Sequence, residues 1–289
     1  MENNRQNSTN INWYPGHMAK TKKQLIEDLK LIDIVVEVVD ARIPLASINP
    51  DIQEYIKEKT KIVVLNKADL ADENETKNWV KKYNSQGITA VEVEASNGKN
   101  IQSVVNKIKV EYEKIKEKYI QKGRIGKSIR VMVIGIPNVG KSTFINSLAK
   151  RNTAKVGNKP GVTKQKQWIK IDNNIEIMDT PGMLWPRLDN QEYAMHLAFC
   201  GTIGENSIDN EEIAYYLLEY LIKNYPNRIE ERYNIKIENK ETIEILEEIA
   251  RKRGAIVSGG NINMQKISDI ILNEFRSGKL GRITIEVSR

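Results

Sequence analysis

A single cysteine, Cys200, excludes both an internal disulfide framework and a cysteine-rich zinc site. Histidine is almost as scarce: His17 and His196 are the only two, which argues against a His-based metal centre. No apolar run approaches the ~18–20 residues needed to cross a bilayer. The first 12 residues, MENNRQNSTNIN, lack the apolar stretch of a secretory leader. The Asn7-Ser8-Thr9 sequon therefore reads as chance in a cytoplasmic protein. Acidic residues are missing from one long stretch. Lys118–Lys170 hold 13 Lys or Arg and no Asp or Glu, in a chain whose net charge is only +7. Such a stretch suits a polyanion, whether nucleotide phosphates or RNA, although a solvated basic face gives the same count.

What is present is enough for a core: 289 residues, 40% of them hydrophobic. At ~150 residues per domain the length suggests two domains. Short, Val-rich runs read as buried strands at Ile32–Asp40, Lys61–Asp69 and Arg130–Gly135. Ile88–Glu94 alternates and reads as a more exposed strand. Gln167–Ile171 and Asn174–Asp179 form a hairpin around Asp172-Asn173-Asn174. Helical patterns lie between: Asn74–Asn84, Lys99–Tyr119, and one from Lys141 to Lys150. This alternation predicts an α/β fold with a mostly parallel sheet. After Leu184 the strand signal fades, and residues 191–200, 210–224, 241–253 and 264–276 read as helices, with Asn206, Pro226 and Asn261 in loops. The expected division is an α/β domain over 1–185 and an all-α domain over 186–289.

Gly135-Ile136-Pro137-Asn138-Val139-Gly140-Lys141-Ser142 fits G-x-x-x-x-G-K-[ST] between a strand and a helix. Glycines let backbone N–H groups wrap phosphates, and the helix start adds positive charge. Lys141 is expected to reach the β- and γ-phosphates, with the Ser142 hydroxyl on Mg²⁺ and Asn138, Val139, Gly140 and Thr143 in the cradle. Asp179-Thr180-Pro181-Gly182 follows the last strand, so Asp179 is expected to support Mg²⁺ and the Gly182 N–H to sense the γ-phosphate. Thr163, in Pro160-Gly161-Val162-Thr163, is placed to put its hydroxyl on Mg²⁺ only with the γ-phosphate present, which makes that segment a switch.

Asn66-Lys67-Ala68-Asp69 ends a strand. The Asp69 carboxylate can accept two hydrogen bonds from the guanine ring N–H and amino group, which adenine does not offer in that arrangement. Asn66 is expected to read the other edge, and the Lys67 stem to cover the ring face. Glu94-Ala95-Ser96 is expected to give backbone N–H to the guanine oxygen.

These motifs occur in Ras-like GTPases in another order. There the phosphate loop, switch threonine and D-x-x-G precede N-K-x-D; here N-K-x-D comes first, so cyclic order is kept while the cut moves. Gln121–Lys127 would join what are normally the chain ends. The chain resembles the circularly permuted GTPases, and most closely the ribosome biogenesis GTPase A (RbgA/YlqF) family. Trp13-Tyr14-Pro15-Gly16-His17-Met18, Asp40-Ala41-Arg42 and Phe275-Arg276-Ser277-Gly278-Lys279-Leu280-Gly281 carry that likeness.

The resemblance implies a Ras-like sheet of six strands, GTP hydrolysis to GDP, and binding to an immature large ribosomal subunit late in its assembly, with the helical tail on ribosomal RNA. It also implies potassium dependence through Asn138. No DNA or membrane partner is expected, and the chain is expected to act as a monomer. Where Ras-like enzymes carry a water-orienting Gln, this chain has Met183 followed by Leu184, so hydrolysis alone is expected to be slow. The resemblance points to His17 as the substituting group; a turn residue after Pro15-Gly16 is the plainer reading. His196 reads as core. The basic clusters Arg251-Lys252-Arg253 and Arg276 with Lys279 are candidates for RNA, or for complementing helix dipoles. Because Asp179–Met183 runs straight into the helical part, the GTP state is expected to set domain orientation and ribosome affinity. Two alternatives stay open: a GTP-dependent RNA-binding switch with negligible turnover, and a P-loop ATPase or small-molecule kinase, against which Asp69 argues.

Overall fold

The computed structural model describes residues 17–121, 128–152, 168–172, 174–180, 190–203 and 209–288. The Gln121–Lys127 linker after Gln121, residues 153–167 of the basic stretch with Thr163, and Gly182 lie outside the described residues, as do Trp13–Gly16, Met183 and Leu184.

Helix α1 (His17–Leu29) precedes β1 (Ile34–Asp40), α2 (Pro50–Ile56), β2 (Thr60–Asn66), α3 (Glu73–Ser85), β3 (Thr89–Glu92), α4 (Ile101–Ile120), β4 (Ile129–Ile134), α5 (Lys141–Asn152), β5 (Trp168–Asp172) and β6 (Ile175–Asp179). The sheet has six strands in the order β3-β2-β1-β4-β6-β5, parallel except for β5 against β6. That is the mixed α/β sheet expected. The chain enters at the middle, builds outward through β2 and β3, then returns to set β4 beside β1 and builds the other half.

Every β1 residue is buried, because the alternating side chains of a central strand meet a helical layer on each face. Ile34, Val36 and Val38 share a cluster with Val104 and Ile108 of α4 and Phe144 and Leu148 of α5. On the other face Val35 joins Leu25 and Leu29 of α1 and Ile52 and Ile56 of α2, while Val39 joins Trp79 and Tyr83 of α3. Chains leaving β1 and β4 diverge, and the crevice at their carboxyl ends is where such sheets bind ligands.

Helices α6 (Gln191–Phe199), α7 (Asn210–Asn224), α8 (Pro226–Tyr233), α9 (Thr242–Lys252) and α10 (Met264–Arg276) follow. Pro226, expected in a loop, is the first residue of α8, where its missing N–H has no helical acceptor to lose. Short α2 begins the same way, with Asn49 capping and Pro50 in the first turn. His196 is buried, as expected, and Cys200 is buried and free; burial pushes its thiol up to about 12, so it is an inert packing group. Residues 282–286 leave the helical group and run back over the loops that follow β1 and β2.

Candidate functional site

The phosphate motif joins β4 to α5, the strand–loop–helix setting its spacing predicts. The first N–H groups of α5 have no partner inside the helix, so positive partial charge collects at that end. Gly140 has φ +87°, and a Cβ there would run into Nδ2 of Asn66, so only glycine fits. Lys141 is buried, with Nζ 3.0 Å from Asp179 Oδ1, and it also donates to the Thr180 carbonyl. Ser142 and Thr143 are exposed on the first turn. A carboxylate and a hydroxyl are hard oxygen donors, the set Mg²⁺ takes.

The base motif stands against the phosphate loop. Asn66 ends β2, and its buried Nδ2 donates to the Val139 carbonyl at 2.8 Å while Oδ1 accepts from the Ala95 N–H at 3.1 Å. Its carboxamide thus ties three loops together, and Nδ2 carries a second hydrogen beside the one given to Val139. The Ala95 N–H is likewise committed, so the exposed Ser96 carries the remaining donor of that segment. Lys67, at φ 58°, donates Nζ to the Asn138 carbonyl at 2.6 Å and lies 2.9 Å from Asp40 Oδ2. Asp69 is half-buried, and its carboxylate makes no hydrogen bond among the described residues. It is the acceptor of the loop with its capacity unspent. Replacing Asn66 by Ala strands two buried backbone groups at ~1–3 kcal/mol each. Urea denaturation of Asn66→Ala is therefore expected to show a loss of about 2–6 kcal/mol.

Beneath the base loop lies a charge cluster that motif spacing did not expose as functional. Asp40 and Arg42 are each 1% exposed. Arg42 grips Asp40 with two bonds, Nε at 2.9 Å and Nη2 at 2.7 Å, and its guanidinium lies 5.1 Å from the centre of the Phe275 ring of α10. Burial opposes ionisation of Asp40, but Arg42 and Lys67 overcome it and hold the carboxyl well below the usual carboxylate range. One turn of chain therefore links β1, the base loop and the helical group.

The remaining candidates separate. His17 is the first residue of α1, and its side chain lies outside the described residues. Arg276 donates to the Ala198 and Phe199 carbonyls at the end of α6, the dipole-complementing use rather than a free phosphate contact. Arg253 stacks on Tyr233 at 5.0 Å and lies 3.4 Å from Glu274. Arg251, Lys252 and Lys279 are exposed, though Arg251 pairs with Glu247 and Lys252 donates to the Asn234 carbonyl. Asn138 is exposed; its Nδ2 donates to the Gly201 carbonyl at 2.7 Å, a direct tie from the phosphate loop to the turn after α6.

Comparison with known proteins agrees with this geometry. The family model described as 50S ribosome-binding GTPase matches residues 130–257. The chain is 44% identical over 276 residues to ribosome biogenesis GTPase A of Bacillus cereus, covering 96% of this chain and 93% of that protein. This chain belongs to the ribosome biogenesis GTPase A family. The Thermotoga maritima ribosome biogenesis GTPase A is 33% identical over 276 residues, covering 96% of this chain and 94% of that one. The solved structure of GNP-bound YlqF from T. maritima superposes with a TM-score of 0.66 at 27% identity, covering 93% of this chain and 99% of that one. A GDP-bound YlqF structure gives 0.69 at 27% identity, over 91% and 98%. As a member of this GTPase family, the chain has its base and phosphate motifs where the permuted order predicts them.

Proposed function

We propose that this ribosome biogenesis GTPase A homologue hydrolyses GTP as an assembly factor on the large ribosomal subunit in the cytoplasm, acting late, through contacts of its helical part (186–289) with ribosomal RNA. The observation that carries the reading is the pairing of the two loops: Asn66 bonded to Val139 and Lys67 to Asn138 hold the loop of Asp69 against the Gly135–Ser142 loop, which supports reading Asp69 as the guanine acceptor beside a phosphate cradle. In that setting Lys141 carries phosphate charge, and Ser142, Asp179 and Thr163 are the groups to hold Mg²⁺, which when bound neutralises charge on the phosphates. The Oδ1 of exposed Asn138 is a hard donor suited to K⁺. The Asp69 carboxylate selects guanine, and the Ser96 N–H serves its oxygen. With Met183 in place of a glutamine, His17 is the group to orient water. The tie from Asn138 to Gly201 supports coupling of nucleotide state to the set of the helical part, and so to ribosome affinity. Exposed Arg251, Lys252 and Lys279 are its candidate phosphate contacts on RNA.

GTP turnover in potassium buffer, with and without purified or immature large subunits, tests the reading. Subunits are expected to raise turnover by about 10²–10⁴-fold, the scale of a positioned acid–base group, and His17→Ala to abolish the rise. Bound GTP with unchanged, negligible turnover on either particle would instead favour a GTP-dependent RNA-binding switch, the alternative that the missing glutamine keeps open.

A further inference from the structure

The loop that bears Asp69 is held from two sides. Asn66 fixes its start to the phosphate loop. On the far side its outward carbonyls are taken by Arg282 and Ile283, the first of them 214 positions from Ala68 in the chain. Arg282 donates Nη2 to the Ala68 carbonyl at 2.8 Å and Nε to the Ala71 carbonyl at 2.7 Å, so one planar guanidinium brackets Asp69. The Ile283 N–H takes the Leu70 carbonyl between them at 2.9 Å, and Thr284 Oγ1 accepts from the Asp72 N–H at 2.9 Å. The strap is itself anchored. Tyr220 and Tyr225 donate to the Ile285 and Thr284 carbonyls, and the Glu286 carboxylate accepts from the Leu45 and Ala46 N–H groups and lies 2.9 Å from His196 Nδ1.

We infer that Arg282 is a positioning residue for base selection: by clamping the Ala68 and Ala71 carbonyls it sets the direction of the Asp69 carboxylate, so guanine preference depends on docking of the strap. The inference rests on the reading of Asp69 as the guanine acceptor. A planar fork fixes two carbonyls in one geometry; a lysine ammonium keeps the charge but not the fork. An Asp held at a fixed angle rewards a base with two donors over a base with one. A loosened Asp keeps a single bond to either base, so loss of the clamp falls on the ratio of the two affinities rather than on binding in general.

The test compares GDP with IDP, whose base lacks only the 2-amino group, on the full chain and on Arg282→Lys and Arg282→Ala, with thermal melts to establish folding. The native chain is expected to prefer GDP over IDP. Arg282→Lys is expected to cut that ratio about threefold to tenfold, with IDP affinity nearly unchanged, and Arg282→Ala to cut it at least as far. A native chain that binds both equally would refute the Asp69 reading itself. A native preference that Arg282→Lys retains in full, or equal weakening of both nucleotides, would overturn the role of Arg282 while leaving Asp69 in place.

Discussion

Asp69→Ala is expected to bind GDP about 10²–10⁴-fold more weakly than the native chain, with its residual binding no longer distinguishing guanine from adenine. The magnitude follows from two hydrogen bonds to an ionised acceptor at ~1.5–3 kcal/mol each. The Asp69 carboxylate makes no hydrogen bond among the described residues, so its removal leaves no donor of the fold stranded, and stability is expected to change little. Calorimetric titration with GDP and ADP, alongside a melt, separates these effects. A Kd for GDP within a factor of three of native would show that the base is held elsewhere. The outcome also ranks the two sides of the site: with Lys141 and the start of α5 proposed to serve the phosphates of any nucleotide, ADP affinity is expected to be the same in both proteins.

Asp40→Asn has the larger effect on folding. It leaves Arg42, fully buried, without its bidentate counter-charge and frees Lys67 from one of its two anchors. Removing one partner from a buried pair costs ~3–5 kcal/mol. At ~2–4 °C per kcal/mol for a chain of this class, Tm is expected to fall by about 10 °C. The pH dependence has a definite sign. The folded-state pKa of Asp40 is depressed, with Arg42 and Lys67 outweighing burial, so its contribution is complete above the ordinary carboxylate value of about 4 and is lost as pH falls below that toward the folded value. The gap between native and variant is therefore expected to be constant from about pH 5 to 8 and to narrow below about pH 4 in denaturant titrations. A variant as stable as native at pH 7 would show that the cluster contributes nothing net.

The legible parts of this molecule were those whose chemistry is local. Gly140, Lys141 and Asp69 sit in short segments at the ends of Val-rich strands, and both the segments and the strands can be read without knowing what lies opposite. Helices α2 and α8 were missed because each is short and opens on a proline, and Pro50 and Pro226 read as readily as loop markers. For Asn66 and Ala95 the sequence hid a mutual tie: Asn66 bonds both the Ala95 N–H and the phosphate loop, and which loop is neighbour is decided by strand order, not by sequence. Arg276 shows the same limit, since a basic residue in a helix's last turn serves RNA or a helix end equally until the acceptor is known. The grip of residues 282–286 left no sequence signal at all: its partners are backbone carbonyls and N–H groups, which nearly every residue carries.

The separation of 214 residues between Ala68 and Arg282 is also an interval of time. At ~5–20 residues per second, a nascent chain exposes its base loop about 10–40 s before the arginine that clamps it is made. A growing polypeptide halted short of that arginine already carries every nucleotide motif described above. By the clamp inferred here its preference for guanine is weaker, so sharp discrimination between GDP and IDP waits on translation of the strap at 282–286.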